Sequence, residues 1–210
     1  MTGDSGRGRS GVVVAIDGPA GSGKSTLARA LGHRLGVERL DTGAMYRSVA
    51  WAVLRDGVDP RDRPAVAGLA RGITLTVGER VEVDGTDVTE AIRGPEVSAA
   101  VSAVAANPDV RALMVRRQRE WVASHGGGVV EGRDIGSVVL PEADLKIFLT
   151  AAPDVRASRR AEEGAAAVAR RDHIDSTRSV SPLEIPSGAR VIDTGQRTVE
   201  EIVEEVVTWL

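Results

Sequence analysis

Residues 18–25 have the types and spacing of a phosphate-binding loop. They read GPAGSGKS and match the pattern G-x-x-x-x-G-K-[ST] at every fixed position. In such a loop the glycines let backbone N–H groups point into one concavity, the lysine reaches the β- and γ-phosphates, and the serine binds Mg²⁺. The residues predicted to contact the phosphates of ATP are Gly18, Pro19, Ala20, Gly21, Ser22, Gly23, Lys24, Ser25 and Thr26. Ser25 is the predicted metal ligand, and Mg²⁺ bound with ATP is the predicted cofactor.

The flanks of this loop favour a phosphate site over a glycine-rich turn that matches the pattern by chance. The apolar run at 12–16 is typical of a buried strand, and residues 24–35 have helical periodicity with Leu27, Leu31 and Leu35 on one face. A phosphate-binding loop needs this order of strand, loop and helix, because the helix N-terminus adds positive potential.

The remaining segments predict an α/β fold with an insertion. The insertion is placed at about 62–95, because ITLTVGERVEVDGTDVTEAI alternates apolar and polar residues as a small antiparallel sheet does. The other predicted elements are a helix after residue 43, helices at 95–125 broken near Asn107 and Pro108, buried strands at 127–136 and 145–150, a charged helix from Pro153, a last strand at 189–194 and a closing helix at 198–210. Strands that alternate with helices predict a parallel sheet with ligands at its carboxyl edge.

Composition indicates one cytoplasmic domain rather than a nucleic-acid-binding or membrane protein. The 210 residues are 42% hydrophobic and 27% charged, with a formal net charge of −3 and no cysteine. No apolar stretch approaches the roughly 18 residues of a membrane span. The basic residues comprise 25 arginines and two lysines, so Lys24 carries more information than any single arginine. We expect residues 1–11 to form a disordered tail and 12–210 to form the domain.

Four segments, taken in order, resemble the successive signatures of bacterial cytidylate kinases. They read IDGPAGSGKST, LDTGAMYR, VVEGRDIGSVVLPEADLKIFLTA and RRDHIDSTRSVSPL, and together they span about residues 12–195. The resemblance implies a P-loop kinase fold: a central parallel sheet flanked by helices, a small antiparallel-sheet insertion in the monophosphate-binding region, and a lid near 157–170. It also implies transfer of the γ-phosphoryl group of ATP to CMP or dCMP, which gives ADP and CDP or dCDP.

The resemblance implies a set of cationic catalytic residues. Phosphoryl transfer forms no covalent intermediate with the protein in such enzymes, so catalysis rests on aligning two anionic nucleotides and neutralising the transferred group. The residues at family positions that contact phosphates are Lys24, Arg47, Arg133, Arg171 and Arg178. Any one of these arginines, taken alone, would be interpreted as a solvated surface residue, and Arg170 is the alternative to Arg171 if the alignment shifts by one.

The resemblance further implies a pocket for the acceptor nucleotide. Asp134 and Ser102 match positions that recognise cytosine, and a carboxylate suits the exocyclic amine of that base. Arg111 matches a residue that holds the monophosphate nucleotide, and Asp175 one that contacts ribose. The complete predicted CMP site is Asp41, Thr42, Tyr46, Arg47, Ser102, Arg111, Arg133, Asp134, Arg171, Asp175 and Arg178. The structural alternatives are a turn cap for Asp134, helix packing for Ser102, a core position for Tyr46 and helix-surface charges for Arg111 and Asp175.

The predicted lid is shorter than in that family. Between RASRR and ARRDHIDSTR only AEEGAAAVA fills the space. Either the lid is truncated, or residues of a mobile lid are missing from the sequence; we favour the second explanation, because mobile lids belong to the least stable parts of a fold. Arg156, Arg159 and Arg160 are interpreted either as lid-base contacts or as an ordinary charged helix, and they are left outside the predicted site.

Two other functions remain as alternatives. A related P-loop kinase could act on another nucleoside monophosphate, shikimate or a sugar, and a nucleotide-dependent switch would use the same loop. A switch should carry D-x-x-G and N-K-x-D segments at suitable spacing, which the sequence lacks, and it lacks a Ser-His-Asp arrangement for hydrolysis. The scattered histidines His33, His125 and His173 do not indicate a zinc site. The expected partners are small nucleotides, without nucleic acid or membrane, and the chain is expected to be a monomer.

Overall fold

The computed structural model describes residues 11–159 and 183–210. The strands are β1 (Val13–Asp17), β2 (Arg39–Asp41), β3 (Leu75–Val77), β4 (Val81–Val83), β5 (Thr86–Asp87), β6 (Gly128–Gly132), β7 (Leu145–Thr150) and β8 (Arg190–Asp193). The helices are α1 (Lys24–Leu35), α2 (Thr42–Arg55), α3 (Arg63–Gly72), α4 (Pro95–Ala105), α5 (Pro108–His125), α6 (Pro153–Ser158) and α7 (Val199–Val207), with a 3₁₀ turn at Ala91–Arg93 and a π-helical turn at Ile135–Val139. None of the helices in the described ranges is long and apolar enough to span a membrane.

Five parallel strands form the central sheet in the order β2-β6-β1-β7-β8. Strand β1 lies in the middle, and its last residue, Asp17, is in register with Gly132 of β6 and Phe148 of β7. The carboxyl ends of β1, β2 and β6 therefore meet at one edge of the sheet, where the loops that follow them can share one ligand site.

Aliphatic side chains cover both faces of this sheet. On one face the buried Leu27 and Leu31 of α1 pack with Ile202 and Val206 of α7 against β1 and β7. On the other face α2 to α5 form the larger cluster, which includes the buried Val49, Val53, Val104 and Met114. The two-sided cover confirms the predicted doubly covered parallel sheet.

The insertion contains the predicted antiparallel sheet, and it also contains a helix that the sequence analysis missed. Strands β3, β4 and β5 pair antiparallel in chain order. The missed helix, α3, begins after Asp62, whose carboxylate accepts a hydrogen bond from Ala65 N at 3.1 Å. Asp84 adopts φ 52° at the β4–β5 turn, and its carboxylate accepts hydrogen bonds from Thr74 N and from Arg55 of α2. These contacts fasten the small sheet to α2.

Two boundaries differ from the prediction. The strand predicted at 127–136 ends at Gly132, and the chain then forms the π-helical turn at Ile135–Val139. A three-residue strand, β2, lies immediately before α2, where no strand was predicted. The first difference arises where the chain leaves the sheet, because the pairing of β6 with β1 ends at Gly132.

Candidate active site

The predicted phosphate-binding loop lies between β1 and α1 at the carboxyl edge of the sheet. Gly18 has φ 149°, and a Cβ atom there would lie 2.3 Å from Leu149 O, so a side chain cannot fit. Gly23 caps the helix at φ 90°, a left-handed conformation that glycine adopts without strain. Lys24 begins α1, and its Nζ donates a hydrogen bond to Pro19 O at 2.7 Å. The lysine thus spans the loop where triphosphate oxygens are expected.

Glu131, on β6, is a site residue that the sequence analysis missed. Its Oε2 accepts a hydrogen bond from Ser25 Oγ at 2.8 Å, and the residue is 3% exposed. Burial and the nearby Asp41 carboxylate raise the pKa of Glu131 to about 7, while Lys24, Ser25 and Arg39 oppose that rise. The sequence carried a usable signal, because an acidic residue interrupts the otherwise apolar run GVVEG.

The surroundings of Ser25 suit a hard cation. Glu131 Oε1 is buried without a hydrogen-bond partner among the described residues, and it lies 4.0 Å from Arg39 Nη1. Magnesium prefers oxygen ligands and keeps several of its waters, so a hydroxyl with a neighbouring carboxylate fits its chemistry. Ser25 and Glu131 are therefore the residues that would hold Mg²⁺, directly or through water.

The loop after β6 is joined to the start of the phosphate-binding loop. Arg133 Nη1 donates a hydrogen bond to Gly18 O at 3.1 Å. The carboxylate of Asp17 accepts hydrogen bonds from Ile135 N and Gly136 N, each at 2.7 Å. Burial, the dominant cause, raises the pKa of Asp17 to about 6, although both backbone hydrogen bonds oppose the rise. Hydrogen bonds thus join the predicted sites of the phosphate donor and the phosphate acceptor.

A buried ion pair occupies the predicted base pocket. Arg111 Nη2 of α5 donates a hydrogen bond to Asp134 Oδ2, and both side chains are more than nine-tenths buried. The guanidinium also lies over the ring of Tyr46, with its Cζ 5.6 Å from the ring centroid. Arg111 Nε is buried without a partner in residues 11–159 and 183–210. Arg111, Asp134 and Tyr46 are therefore brought together in one place.

Arg47 joins α2 to the base of the insertion. Its Nη1 donates hydrogen bonds to Ile92 O at 3.1 Å and to Ser98 Oγ at 2.9 Å. Ser102 lies half-buried on α4, one turn beyond Ser98, so the two serines share a helix face. Ser98 is a second residue that the sequence analysis missed.

Asp41 and Thr42 hold the N-terminus of α2 in place. Asp41 Oδ1 accepts a hydrogen bond from Ala44 N at 3.0 Å and caps the helix. Thr42 Oγ1 donates a hydrogen bond to Glu131 O at 2.7 Å, which ties α2 to β6. Both residues lie beside the site, and their visible contacts are structural.

Comparison with known proteins identifies the family. The family model described as cytidylate kinase matches residues 14–210. The chain belongs to the cytidylate kinase family.

Curated relatives agree with this membership, and a solved structure of another kinase shares the fold. The cytidylate kinase of Mycolicibacterium paratuberculosis is 48% identical, with 94% of each chain covered. That of Pelotomaculum thermopropionicum is 49% identical, over 92% of this chain and 93% of its own. A sugar kinase structure from Janibacter has a TM-score of 0.51 at 17% identity, over 95% of this chain and 94% of its own, and shares the fold alone. The chain accordingly has the P-loop kinase fold.

The predicted lid lies mostly outside the part of the chain that the structure describes. Residues 160–182 lie outside the described part of the chain, so both explanations of the short lid stay open. The alignment with the Mycolicibacterium enzyme extends over 214 positions, more than the 210 residues of this chain. That relative therefore has residues for which this member of the family has no counterpart.

Two arginines left outside the predicted site contact the phosphate-binding loop. Arg156 Nη1 donates a hydrogen bond to Ala20 O at 3.2 Å. Arg159 Nη1 lies 2.8 Å from Thr194 Oγ1 and 3.4 Å from Gly21 O, and its Nη2 donates to Thr194 O. Thr194 Oγ1 lies 3.1 Å from Ser22 O. Through these contacts Arg156 and Arg159 support the phosphate-binding loop.

The remaining predicted residues lie outside the described part of the chain. They are Arg171, Asp175 and Arg178 of the site, together with Arg160, Arg170 and His173. The described histidines, His33 and His125, lie away from the site, and His125 stacks on Trp121 with ring centroids 4.2 Å apart.

Proposed function

We propose that this protein transfers the γ-phosphoryl group of ATP to CMP or dCMP, giving ADP and CDP or dCDP. The observation that carries the proposal is the loop after β6, where adjacent residues face the two predicted nucleotide sites. Arg133 binds the carbonyl of Gly18 in the ATP loop, and Asp134 is paired with Arg111 in the base pocket. Family membership and the cytidylate kinases among its relatives support the same reaction.

The cationic residues act by alignment and charge neutralisation. Lys24 lies at the start of α1, where its Nζ can exchange the Pro19 carbonyl for phosphate oxygens. Arg133 lies beside Gly18, between the two predicted nucleotide sites, and its planar guanidinium suits two oxygens of one phosphate. Arg47, whose Nη1 is hydrogen-bonded to Ile92 O and Ser98 Oγ, is proposed to contact the phosphate of the acceptor nucleotide. Arg171 and Arg178 complete the proposed set as predictions.

Ser25 and Glu131 are the proposed magnesium residues. When bound with ATP, the ion would offset the negative charge of the phosphates. Glu131 holds Ser25 Oγ in place through its Oε2, and its second oxygen faces no described hydrogen-bond partner.

Asp134 is the proposed reader of the acceptor base. A carboxylate accepts a hydrogen bond from the amino group at C4 of cytosine, whereas uracil presents a carbonyl oxygen there and the two acceptors repel. Arg111 holds the carboxylate by an ion pair, so rotating the Asp134 side chain out of the pocket would break that ion pair. Ser102 is proposed to contact the same base, and Tyr46 forms part of the pocket wall.

A coupled assay of ADP release tests this function. ATP with Mg²⁺ is supplied with CMP, dCMP, UMP, AMP or shikimate in turn, with Lys24→Ala as the blank. We expect turnover of CMP and dCMP that Lys24→Ala abolishes. Asp134→Asn should lower the preference for CMP over UMP, because the amide can donate to the uracil carbonyl. Turnover of shikimate or AMP in place of CMP would refute the proposed substrate.

A further inference from the structure

Asp17 is a buried acidic residue to which the proposed reaction assigns no role. It ends β1, and it is 0% exposed. Its two oxygens each accept a hydrogen bond at 2.7 Å, from the backbone N–H groups of Ile135 and Gly136, which lie more than 110 residues away in sequence. These two N–H groups directly follow Asp134, and Gly18, the next residue after Asp17, accepts the hydrogen bond from Arg133.

We propose that Asp17 is a positioning residue for the acceptor nucleotide, whose carboxylate sets the loop that carries Arg133 and Asp134. This inference rests on the proposed roles of those two residues. A carboxylate is an acceptor at both oxygens, so it can hold two backbone donors at once. Because Asp17 stands at the head of the ATP loop, the same side chain fixes the spacing between the two nucleotide sites.

The chemistry of the carboxyl group makes the positioning depend on ionisation. A protonated carboxyl keeps one free acceptor oxygen, while its other oxygen carries an O–H donor that would face a backbone N–H. The charged groups that face Asp17 are Asp134, which raises its pKa, and Lys24, which lowers it; burial is the larger influence, and the pKa is about 6. The second hydrogen bond is therefore lost as pH falls through about 6.

Asp17→Asn tests the proposal, with Asp144→Asn as the matched control. The amide introduced by Asp17→Asn would present a donor to one of the two N–H groups. Asp144 accepts a hydrogen bond from Val13 N at 2.7 Å, at the opposite end of the same strand. At pH 7.5 we expect Asp17→Asn to raise KM for CMP roughly tenfold and to reduce the CMP-to-UMP preference, with KM for ATP changed less than about threefold. Asp144→Asn should change each value less than about twofold.

The pH profile separates positioning from general damage. The phosphate of CMP itself titrates near pH 6, so KM for CMP changes with pH in every variant. The ratio of the two KM values, Asp17→Asn over wild type, cancels that shared change. We expect the ratio to be large at pH 7.5 and to approach one below pH 5.5. A ratio near one at pH 7.5, or an equal rise in KM for ATP, overturns the proposal.

Two further measurements test the proposal independently of the KM values of Asp17→Asn. If Asp17→Asn does not fold, the amide proton shifts of Ile135 and Gly136 are followed by NMR in the wild-type protein between pH 5 and 7.5. We expect both to move together with a midpoint near 6, and constant shifts overturn the proposal.

Asp134→Asn is assayed in parallel. If it leaves the CMP-to-UMP preference unchanged, the assigned base reader is wrong; if it alone alters that preference, the role of Asp17 is wrong.

Discussion

Replacing Arg111 with methionine should destabilise the protein far more than replacing an ordinary surface arginine. The side chains of Arg111 and Asp134 are 4% and 7% exposed, so neither charge is solvated when its partner is removed. Methionine keeps much of the length of the arginine stem without the charge. Asp134 would then be a buried carboxylate without its cation, which is the costly half of a broken ion pair.

The expected loss follows from that burial. Removing one partner of a buried pair lowers the free energy of unfolding by about 3 to 5 kcal/mol. The loss of the contact between the guanidinium and the Tyr46 ring contributes about 0.5 to 2 kcal/mol to the same change. Asp134→Asn in the Arg111→Met background removes the stranded charge, so the double variant should recover at least half of the loss.

Urea unfolding followed by circular dichroism measures these differences without nucleotide present. The four proteins of the double-variant cycle are compared at pH 7.5, which isolates the coupling between the two side chains. Arg116→Met is the control on the same helix, because Arg116 is 68% exposed and pairs with Glu120 only at 3.7 Å. It should change the free energy of unfolding by less than about 0.5 kcal/mol.

Two results would refute this reasoning. If Arg111→Met lies within about 1 kcal/mol of the wild type, the pair does not have the energetics of a buried ion pair. If the double variant is as unstable as the two single changes added together, the stranded charge is not the cause of the loss.

Three more predictions concern the loop at the head of α1. Gly18→Ala should abolish turnover and ATP binding, measured by calorimetry, since its Cβ would lie 2.3 Å from Leu149 O; measurable ATP binding would contradict the loop geometry. Thr194→Val removes the hydroxyl beside Ser22 O. It should lower the free energy of unfolding by about 1 to 2 kcal/mol and raise KM for ATP. An unchanged urea midpoint would contradict this prediction. Because the pKa of Asp17 is raised to about 6, its contribution to the free energy of unfolding is greatest below pH 3.8 and falls as pH rises to about 6. The fall is on the order of 3 kcal/mol. The difference in free energy of unfolding between wild type and Asp17→Asn should follow this curve, and a difference that does not change with pH would show that the pKa is not raised.

Local patterns in the sequence were sufficient for much of the fold. The fixed residues of the phosphate-binding loop and the helical spacing of Leu27 and Leu31 predicted β1, the loop and α1, because each depends on neighbours in sequence. Alternation of apolar and polar residues predicted the antiparallel sheet for the same reason. Helix α3 was missed although Asp62 and Pro64 form a usable N-terminal signal, since the whole insertion was interpreted as one sheet.

The site residues also differ in whether the sequence alone could predict their contacts. The family resemblance placed Arg111 and Asp134 in one pocket, but their direct ion pair joins α5 to a loop 23 residues away and has no local signature. Glu131 was passed over because its importance comes from burial beside Ser25, which depends on the pairing of β6 with β1. The supporting contacts of Arg156 and Arg159 likewise depend on where α6 packs, not on residue spacing.

The central place of β1 in the sheet also governs when the molecule can assemble. Its neighbours are β6 and β7, so residues 13–17 find their first partners only at 128–132 and their second at 145–148. During synthesis the ATP loop therefore leaves the ribosome more than 100 residues before the strands that support it. Strand β1, ahead of the loop, is almost wholly apolar, and its backbone has no strand to pair with until β6 and β7 have been synthesised. For most of translation, the part of the enzyme that will bind ATP is thus an unpaired strand prone to aggregate rather than a nucleotide site.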